Sequence, residues 1–545
     1  MALAALALLL LPPLVAASDN RLAQSPPMGW RSWNLFGSNV SQLRIERIMR
    51  AMAEREHLVD GVPTSLCDLG YCDVGLDDNW QLCGAYGAEG QLRFHDETGA
   101  PIVNTTRFPS LKAMTDLAHS LGLYAGWYGN NCICMETHTE AEKFYRGDVQ
   151  ALRAYGFDSI KLDGCGSQND LELFDRLIKE TPATSGREAV LVENCHWGSR
   201  EPFAPHFAAD GSLWCPWNFY RTSGDVRANY DSVVRNLLTT VDYARRNLSQ
   251  PGCWAYPDML EVGVACSEGG DCPGGTLDLG LNAAETRAHF GAWAIVSSPL
   301  ILSHDVTDPA IAAAVWPVIA NKEVIAVNQA WAGHSGSPFF ESSEQVLLYT
   351  PPEWAYRRRG VLLLVACALC AAVYAFRRLA AARRRRRSTS TAEEEGHELG
   401  TLEPKRLVDE GQAIPATAPR LPLRVLLCLA FTAALVAGVA QLVYVWGEET
   451  LNPYHSWELL VPAAQYFYKP VRPHGEATAV LLMNHAPTRR DLRLEFAAIP
   501  GVLCTRCHVR DLWAHRDLGN FSHAYVASDV ESHDAPFLLI TPAAV

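Results

Sequence analysis

Acidic, amide and aromatic side chains gather at a few points along this chain. Trp30 and Trp33, Asp77-Asp78-Asn79-Trp80, Trp127-Tyr128, Lys161 and Asp163, Glu193-Asn194, Asp225 and Asp258 each fall at or near the end of a short apolar run. Brought into one pocket, such groups suit a sugar. Carboxylates accept from hydroxyls, while indole faces cover the apolar side of the ring. Any one cluster is more commonly a helix cap or a loop acid; the repetition lifts the set.

The runs that must carry these residues are Met28–Asn34, Cys72–Asn79, Leu123–Gly129, Ser159–Gly164, Ala189–His196, Ser212–Asn218, Gly252–Leu260 and Pro299–His304. Helical patterns sit between them. In Gln42–Glu56, Leu43, Ile45, Ile48, Met49 and Met52 share one face, and Ser110–Ser120 and Leu171–Lys179 are spaced alike. Strand-like and helical segments in alternation argue for βα units around a parallel sheet. Eight such units over 25–332 predict an α/β chain with a (β/α)8 TIM barrel, whose strand C-termini converge on one pocket.

The remainder divides the 545 residues further. Residues 1–17 have an apolar core at Leu3–Leu11 and small residues at Val15, Ala16 and Ala17, which reads as a signal peptide cleaved near Ser18. Gly360–Phe376 and Val425–Trp446 are uncharged and long enough to span a bilayer, and the arginines between them would stay cytosolic. A two-helix transmembrane hairpin within 356–450 is therefore expected; buried core helices are the alternative. Of 16 cysteines, 11 lie between Cys67 and Cys272, which suits an oxidising compartment. The sequons at Asn39, Asn104, Asn247 and Asn520 all lie outside the hairpin. Together these place the protein in the secretory pathway, membrane-anchored, with its catalytic part lumenal or extracellular. A formal net charge of −14 disfavours nucleic acid as a partner.

The stretches PPMGWRSWN (26–34), GLDDNW (75–80), GLYAGWYG (122–129), GFDSIKLDGC (156–165), RTSGDV (221–226), PDML (257–260) and HFGAWAIVSSPLILSHDV (289–306) resemble, in order, the α-galactosidase / α-N-acetylgalactosaminidase (melibiase-like) family, glycoside hydrolase family 27. VRDLWAHRDLG (509–519) resembles that family's C-terminal antiparallel β-sandwich. Here that domain would start at 333–355 and resume at 455–545, split by the hairpin. The resemblance implies a retaining double displacement without cofactor or metal. Asp163 would be the nucleophile and Asp225 the acid/base, with carboxyls ~5–5.5 Å apart rather than the ~6.5–9.5 Å of inverting pairs. Lys161 and Arg221 would keep Asp163 ionised, and Asp225 would need a raised pKa. Asp77 and Asp78 would bind the 4- and 6-hydroxyls of galactose, and Trp33 and Trp80 would wall the pocket. Tyr124 and Lys161 would complete the hydrogen bonding, and Arg221 would reach O2. The resemblance pairs Cys132 or Cys134 with Cys165 and Cys195 with Cys215; Cys266 and Cys272, in one loop, are candidates for each other.

Three departures bear on function. Asn79 stands where the family has a disulfide cysteine. Tyr256 replaces an acid before PDML. His196 occupies the position that faces the sugar's 2-substituent, and its bulk favours 2-hydroxyl over 2-acetamido. The expected partners are α-galactoside glycans, membrane lipid through the hairpin, and a second copy of the chain in a homodimer. An α-N-acetylgalactosaminidase, a galactosyl transglycosylase and a catalytically silent sugar receptor are the competing readings.

Overall fold

The computed structural model describes residues 20–83, 93–129, 134, 141–164, 167–199, 215–265, 279–349 and 458–543, with 364, 374, 377 and 378 isolated between the last two stretches. Eight parallel strands form one sheet: β1 Met28–Arg31, β2 Asp73–Gly75, β3 Tyr124–Gly129, β4 Ser159–Asp163, β5 Leu191–Cys195, β6 Phe219–Arg221, β7 Trp254–Tyr256 and β8 Leu300–Leu302. Their order is β8-β1-β2-β3-β4-β5-β6-β7. A parallel bridge from Leu260, just past β7, to Leu302 of β8 joins the two edges and closes the barrel.

Helices surround it. They are α1 Gln42–Ala53, α2 Leu111–Ser120, α3 Glu142–Tyr155, α4 Leu171–Glu180, α5 Tyr230–Arg245, α6 Ala283–Ile295, α7 Pro309–Ile319 and α8 Lys322–Gln329. They are amphipathic except for α6, which is buried almost all round. In α1, Ile45, Ile48, Met49 and Met52 are buried on one face, while Leu43, expected with them, falls on the other side of the helix from Ile45 and is exposed. Side chains start several helices: the Ser110 oxygen accepts from Ala113 N, the Asp170 carboxylate from Leu173 N, and Asn282 forms a capping box with Glu285. Such caps stabilise a helix by about 1 kcal/mol each.

One strand departs from expectation. The sixth was placed at Ser212–Asn218, but 212–214 lie outside the described residues, 215–218 form a loop, and the strand is Phe219–Arg221. Pro216 has no N–H to give a ladder. Cys215 is tied to Cys253, and the Asn218 side chain accepts from Val192 N of β5.

The C-terminal domain is antiparallel. A six-stranded sheet runs through β9 Ser337–Glu341, β12 Ala464–Arg472, β13 Ala477–Asn484, β18 Phe537–Pro542, β15 Arg506–Asp511 and β16 Arg516–Ser522. The pairs β10 Gln345–Tyr349 with β11 Glu458–Pro462, and β14 Arg490–Glu495 with β17 Ala524–Val530, complete it. Val480, Leu482, Leu492, Leu494, Val509 and Ile540 share its core. Gly291 of α6 lies against Leu481 and Trp513, where a Cβ would sit 2.9 Å from Leu481 Cδ1. The buried Lys469 donates to the carbonyls of Val327 and Asn328 at 2.6 and 2.8 Å, fixing this domain to the barrel's last helix.

Residues 350–457 form a separate compact unit. The flanking strands nevertheless pair across it, Gln345 with Pro462 through Tyr349 with Glu458. The chain thus leaves and rejoins the β domain at adjacent strand ends. The signal peptide expected at 1–17 lies outside the described residues, and the spans expected at 360–376 and 425–446 lie almost wholly outside them. Among the described residues no single helix is long and apolar enough to cross a membrane.

Candidate active site

The polar residues of the strand ends meet at the C-terminal mouth of the barrel. After β2 the chain turns through Asp77-Asp78-Asn79. Asp78 N donates to Asp77 Oδ1 at 2.9 Å and Asn79 N to Asp78 Oδ1 at 2.7 Å. Asn79 takes φ 74°, a left-handed conformation that Asn tolerates well. This turn presents two buried carboxylates side by side. Lys161 Nζ of β4 donates to Asp77 Oδ2 at 2.9 Å, which neutralises Asp77. Among the described residues no cation is paired with Asp78. Burial, with the neighbouring charges of Asp77 and Asp163, outweighs its bonds from Asn79 and Gln81 and pushes it up to about 7.

Asp163 is the last residue of β4, and both its oxygens are held. Oδ2 accepts from the Tyr128 hydroxyl at 2.8 Å and Oδ1 from Gly164 N at 2.8 Å. Behind Tyr128 stands Trp80, whose Nε1 donates to the Tyr128 carbonyl at 3.0 Å and whose ring lies 4.6 Å from that of Trp127. Trp80 is wholly buried, so it backs the pocket rather than walling it; Trp33, 37% exposed, is open to solvent on the short helical turn after β1.

Asp225 lies four residues past β6, in the loop before α5. Arg221 binds it at 3.0 Å through Nη2 and binds Asp258 at 3.0 Å through Nη1. Asp258 follows β7 at φ 95°, a strained conformation for a residue with a Cβ. Its Oδ2 accepts from Val226 N and its carbonyl from Trp293 Nε1, which hold it there. Burial and the charge of Asp225 outweigh Arg221 and lift Asp258 to about 6.

Asp163 feels the charge of Asp225, and both candidate catalytic carboxylates feel Lys161. Their protonation tendencies run opposite to expectation. Burial raises Asp163, and Lys161 and the Tyr128 hydrogen bond offset this only in part. Burial also acts to raise Asp225, but Arg221, with Lys161 and Arg227, holds it below the usual carboxylate value. Its side chain is nevertheless 70% exposed, so water screens much of that burial.

Lys161 and Arg221 are both brought to this cluster. His196, buried after β5, packs on Gly164 beside Asp163, where a Cβ would fall 3.3 Å from the imidazole ring. Tyr124 is not at the site. It starts β3, in register with Asp73, and its ring lies 3.1 Å from the Arg187 guanidinium carbon. Tyr128 is the tyrosine of this strand at the cluster, its hydroxyl bonded to Asp163. The two tyrosines share a strand face, and only the later one reaches the C-terminal end. Two further residues beneath the pocket, Arg31 and Glu193, were not foreseen as a pair, although charged side chains inside MGWR and LVENC are the available signal.

The disulfides differ as well. Cys134 pairs with Cys83, which excludes it as the partner of Cys165; Cys132 and Cys165 lie outside the described residues. Cys215 pairs with Cys253, and Cys195 is a buried free thiol receiving Arg221 Nη1 at 3.5 Å. Further bridges join Cys67 with Cys72 and Cys504 with Cys507. Cys266 and Cys272 fall outside the described residues. Among the described residues no group of His, Cys, Asp and Glu could hold a metal ion. A cavity of about 330 Å³ on the outer barrel wall, lined by Arg47, Arg50, His57 and Trp316, lies away from the carboxylates, so chemistry rather than volume locates the site.

A closed parallel barrel with paired acids, Lys and Arg at its strand C-termini, followed by a β-sandwich, defines a glycoside hydrolase architecture. Residues 25–330 match the family model described as alpha galactosidase A, and 462–540 match that of the alpha galactosidase C-terminal beta sandwich domain. The chain belongs to the α-galactosidase family, glycoside hydrolase family 27. Alpha-galactosidase 2 of Arabidopsis thaliana is 30% identical over 324 residues, 58% of this chain and 70% of that protein. Human alpha-N-acetylgalactosaminidase is 28% identical over 346 residues, 61% of this chain and 76% of that protein. The crystal structure of alpha-galactosidase I from Mortierella vinacea aligns with TM-score 0.59 at 21% identity, covering 97% of this chain and all of that one.

Proposed function

We propose that this protein is a retaining α-galactosidase that removes terminal α-linked galactose from oligosaccharides, glycolipids or glycoproteins. The observation that carries this is that Asp163 lies within reach of the charge of Asp225, with Lys161 acting on both and Arg221 bound to Asp225, beside the buried Asp77-Asp78 pair. Asp163, held by Tyr128 and Gly164 N, attacks the anomeric carbon as the carboxylate. Asp225 gives its proton to the departing oxygen. A glycosyl ester of Asp163 results, and water activated by Asp225 then breaks that ester to free galactose and regenerate both acids.

Substrate must therefore reverse the protonation order of the free enzyme. A sugar 2-hydroxyl drawing on Arg221 loosens that cation from Asp225, and the leaving group covers Asp225 from water. Both changes lift its pKa. His196, packed against Gly164, leaves little room for an acetamido group, which favours galactose over N-acetylgalactosamine.

Entry into the secretory pathway through residues 1–17 and anchoring through a membrane hairpin complete the proposal. The apolar runs at 360–376 and 425–446 and the arginines between them support the anchor. The pairing of Tyr349 with Glu458 supports an even number of crossings, because both halves of the β domain must share one side.

The test compares p-nitrophenyl α-galactoside with its N-acetyl analogue, using Asp163→Asn as control. Galactoside turnover should exceed N-acetylgalactosaminide turnover, and the control should lose activity by about 10⁴-fold. Trapping with a fluorinated galactosyl inactivator should label Asp163. Binding without turnover above the control would favour a receptor, and a label elsewhere would overturn the site.

A further inference from the structure

Beneath the carboxylates the barrel carries a charged layer where packed aliphatic side chains are the rule. Arg31, on β1, is buried. Its Nη2 lies 2.7 Å from Glu193 Oε2 of β5, an ion pair, and its Nη1 lies 3.9 Å from Asp77 Oδ2. Glu193 is the register partner of Lys161 on β4, and Lys161 binds the same Asp77 oxygen at 2.9 Å. Two cations and two carboxylates thus form one buried set that reaches from β1 across to β5.

The barrel makes room for it. Gly75, the register partner of Arg31 on β2, leaves space where a Cβ would sit 3.3 Å from Arg31 Cγ, Nε and Cζ. A side chain there would push the guanidinium off its line to Glu193. A buried ion pair is weak evidence for stability, because well-packed apolar residues of similar volume commonly replace it without loss. What an apolar pair cannot do is hold a neighbouring carboxylate in one orientation. Asp77 is that neighbour. Its Oδ1 accepts from Asp78 N and its Oδ2 from Lys161, which leaves a lone pair on each oxygen for sugar hydroxyls.

We infer that Arg31 and Glu193 are positioning residues for sugar recognition, acting on the substrate only through Asp77. This rests on the reading of Asp77 and Asp78 as partners of the 4- and 6-hydroxyls. The pair then sets how much each of those hydroxyls contributes to binding and leaves the double displacement itself unchanged.

The test is the double variant Arg31→Met/Glu193→Gln, which removes both charges so that neither is stranded. It is assayed on p-nitrophenyl α-galactoside and on the 4-deoxy and 6-deoxy analogues. Expected are a rise in KM of ~10-fold, kcat within ~3-fold of wild type, and a smaller penalty for deleting at least one hydroxyl. The ratio of kcat/KM between substrates does not depend on the fraction of active enzyme, so partial unfolding cannot imitate the result. Arg31→Lys keeps the charge but loses the planar reach to two carboxylates, and should move the same ratios by ~3-fold. If the double variant fails to fold, this single variant decides. Unchanged deoxy penalties in whichever folded variant is measured would overturn the inference, as would a fall in kcat with KM unaltered. Failure of the wild type to hydrolyse the galactoside would instead overturn the functional reading, and that is seen before any variant is made.

Discussion

The side of the pocket proposed to carry the nucleophile and the side proposed to carry the acid/base are built in different ways. Asp163 ends a strand, both its oxygens are bonded to neighbours on the same scaffold, and burial favours its neutral form. Asp225 projects from a loop, is open to solvent, and is held ionised chiefly by Arg221. One side is fixed and needs a charge; the other is adjustable and needs a proton. Catalytic readiness is then a property of the complex with substrate, since covering the open side is what moves the proton to where the reaction uses it.

The largest expected effect on this contrast comes from Asp225→Asn. With an alkyl galactoside, whose leaving group must be protonated, kcat/KM should fall by about 10²–10⁴-fold. With a nitrophenyl galactoside the first step needs little protonation, and the fall in kcat/KM should be much smaller. Equal losses on both substrates would mean that Asp225 does not supply the proton.

Next in size is the pH profile. Asp163 must be ionised, and burial raises its pKa, so kcat/KM should decline as pH falls, beginning above the usual carboxylate range. Asp225 must be protonated, so activity should also decline as pH rises. Arg221 stabilises the Asp225 carboxylate; removing that cation favours the protonated form and lets it persist to higher pH. Arg221→Gln should therefore move the alkaline limb of kcat/KM upward by about 1–2 pH units, beside any loss in sugar binding. A limb that stays in place would assign it to another group.

Much of the site was legible because barrel strands end at the pocket, and acids at the ends of apolar runs can be read in one dimension. The exceptions have definite causes. Tyr124 and Tyr128 share a face and differ only in distance along the strand, so side-chain type alone does not separate them. The segment SLWCPWN has the composition of a strand, but a proline and the tether to Cys253 keep Cys215–Asn218 in a loop. Disulfide partners depend on separation in space. Cys83 with Cys134 and Cys215 with Cys253 join segments 51 and 38 positions apart, and nothing in the spacing marks them. The protonation order was misread because it turns on burial, and the same Lys161 that lowers Asp163 is outweighed once that carboxyl leaves water.

The smallest effect is expected outside the pocket. Joining Tyr349 to Glu458 through an Asn-Gly turn removes 350–457 and leaves a two-residue hairpin between strands already in register. The shortened protein should keep kcat/KM within about twofold of the parent and the same pH limbs. A larger change would show that the inserted unit helps set the two carboxylates apart.

The β10–β11 pairing also changes what cleavage of the backbone means for this protein. A protease that cuts anywhere within 350–457 severs the polypeptide but not the ladder from Gln345 to Pro462. The amino-terminal fragment keeps the barrel with β9 and β10, and the carboxy-terminal fragment keeps β11 to β18. They stay joined through sheet hydrogen bonds, the Lys469 anchor and the bidentate Arg510–Glu323 bridge. A denaturing gel would then show two bands where gel filtration shows a single active species.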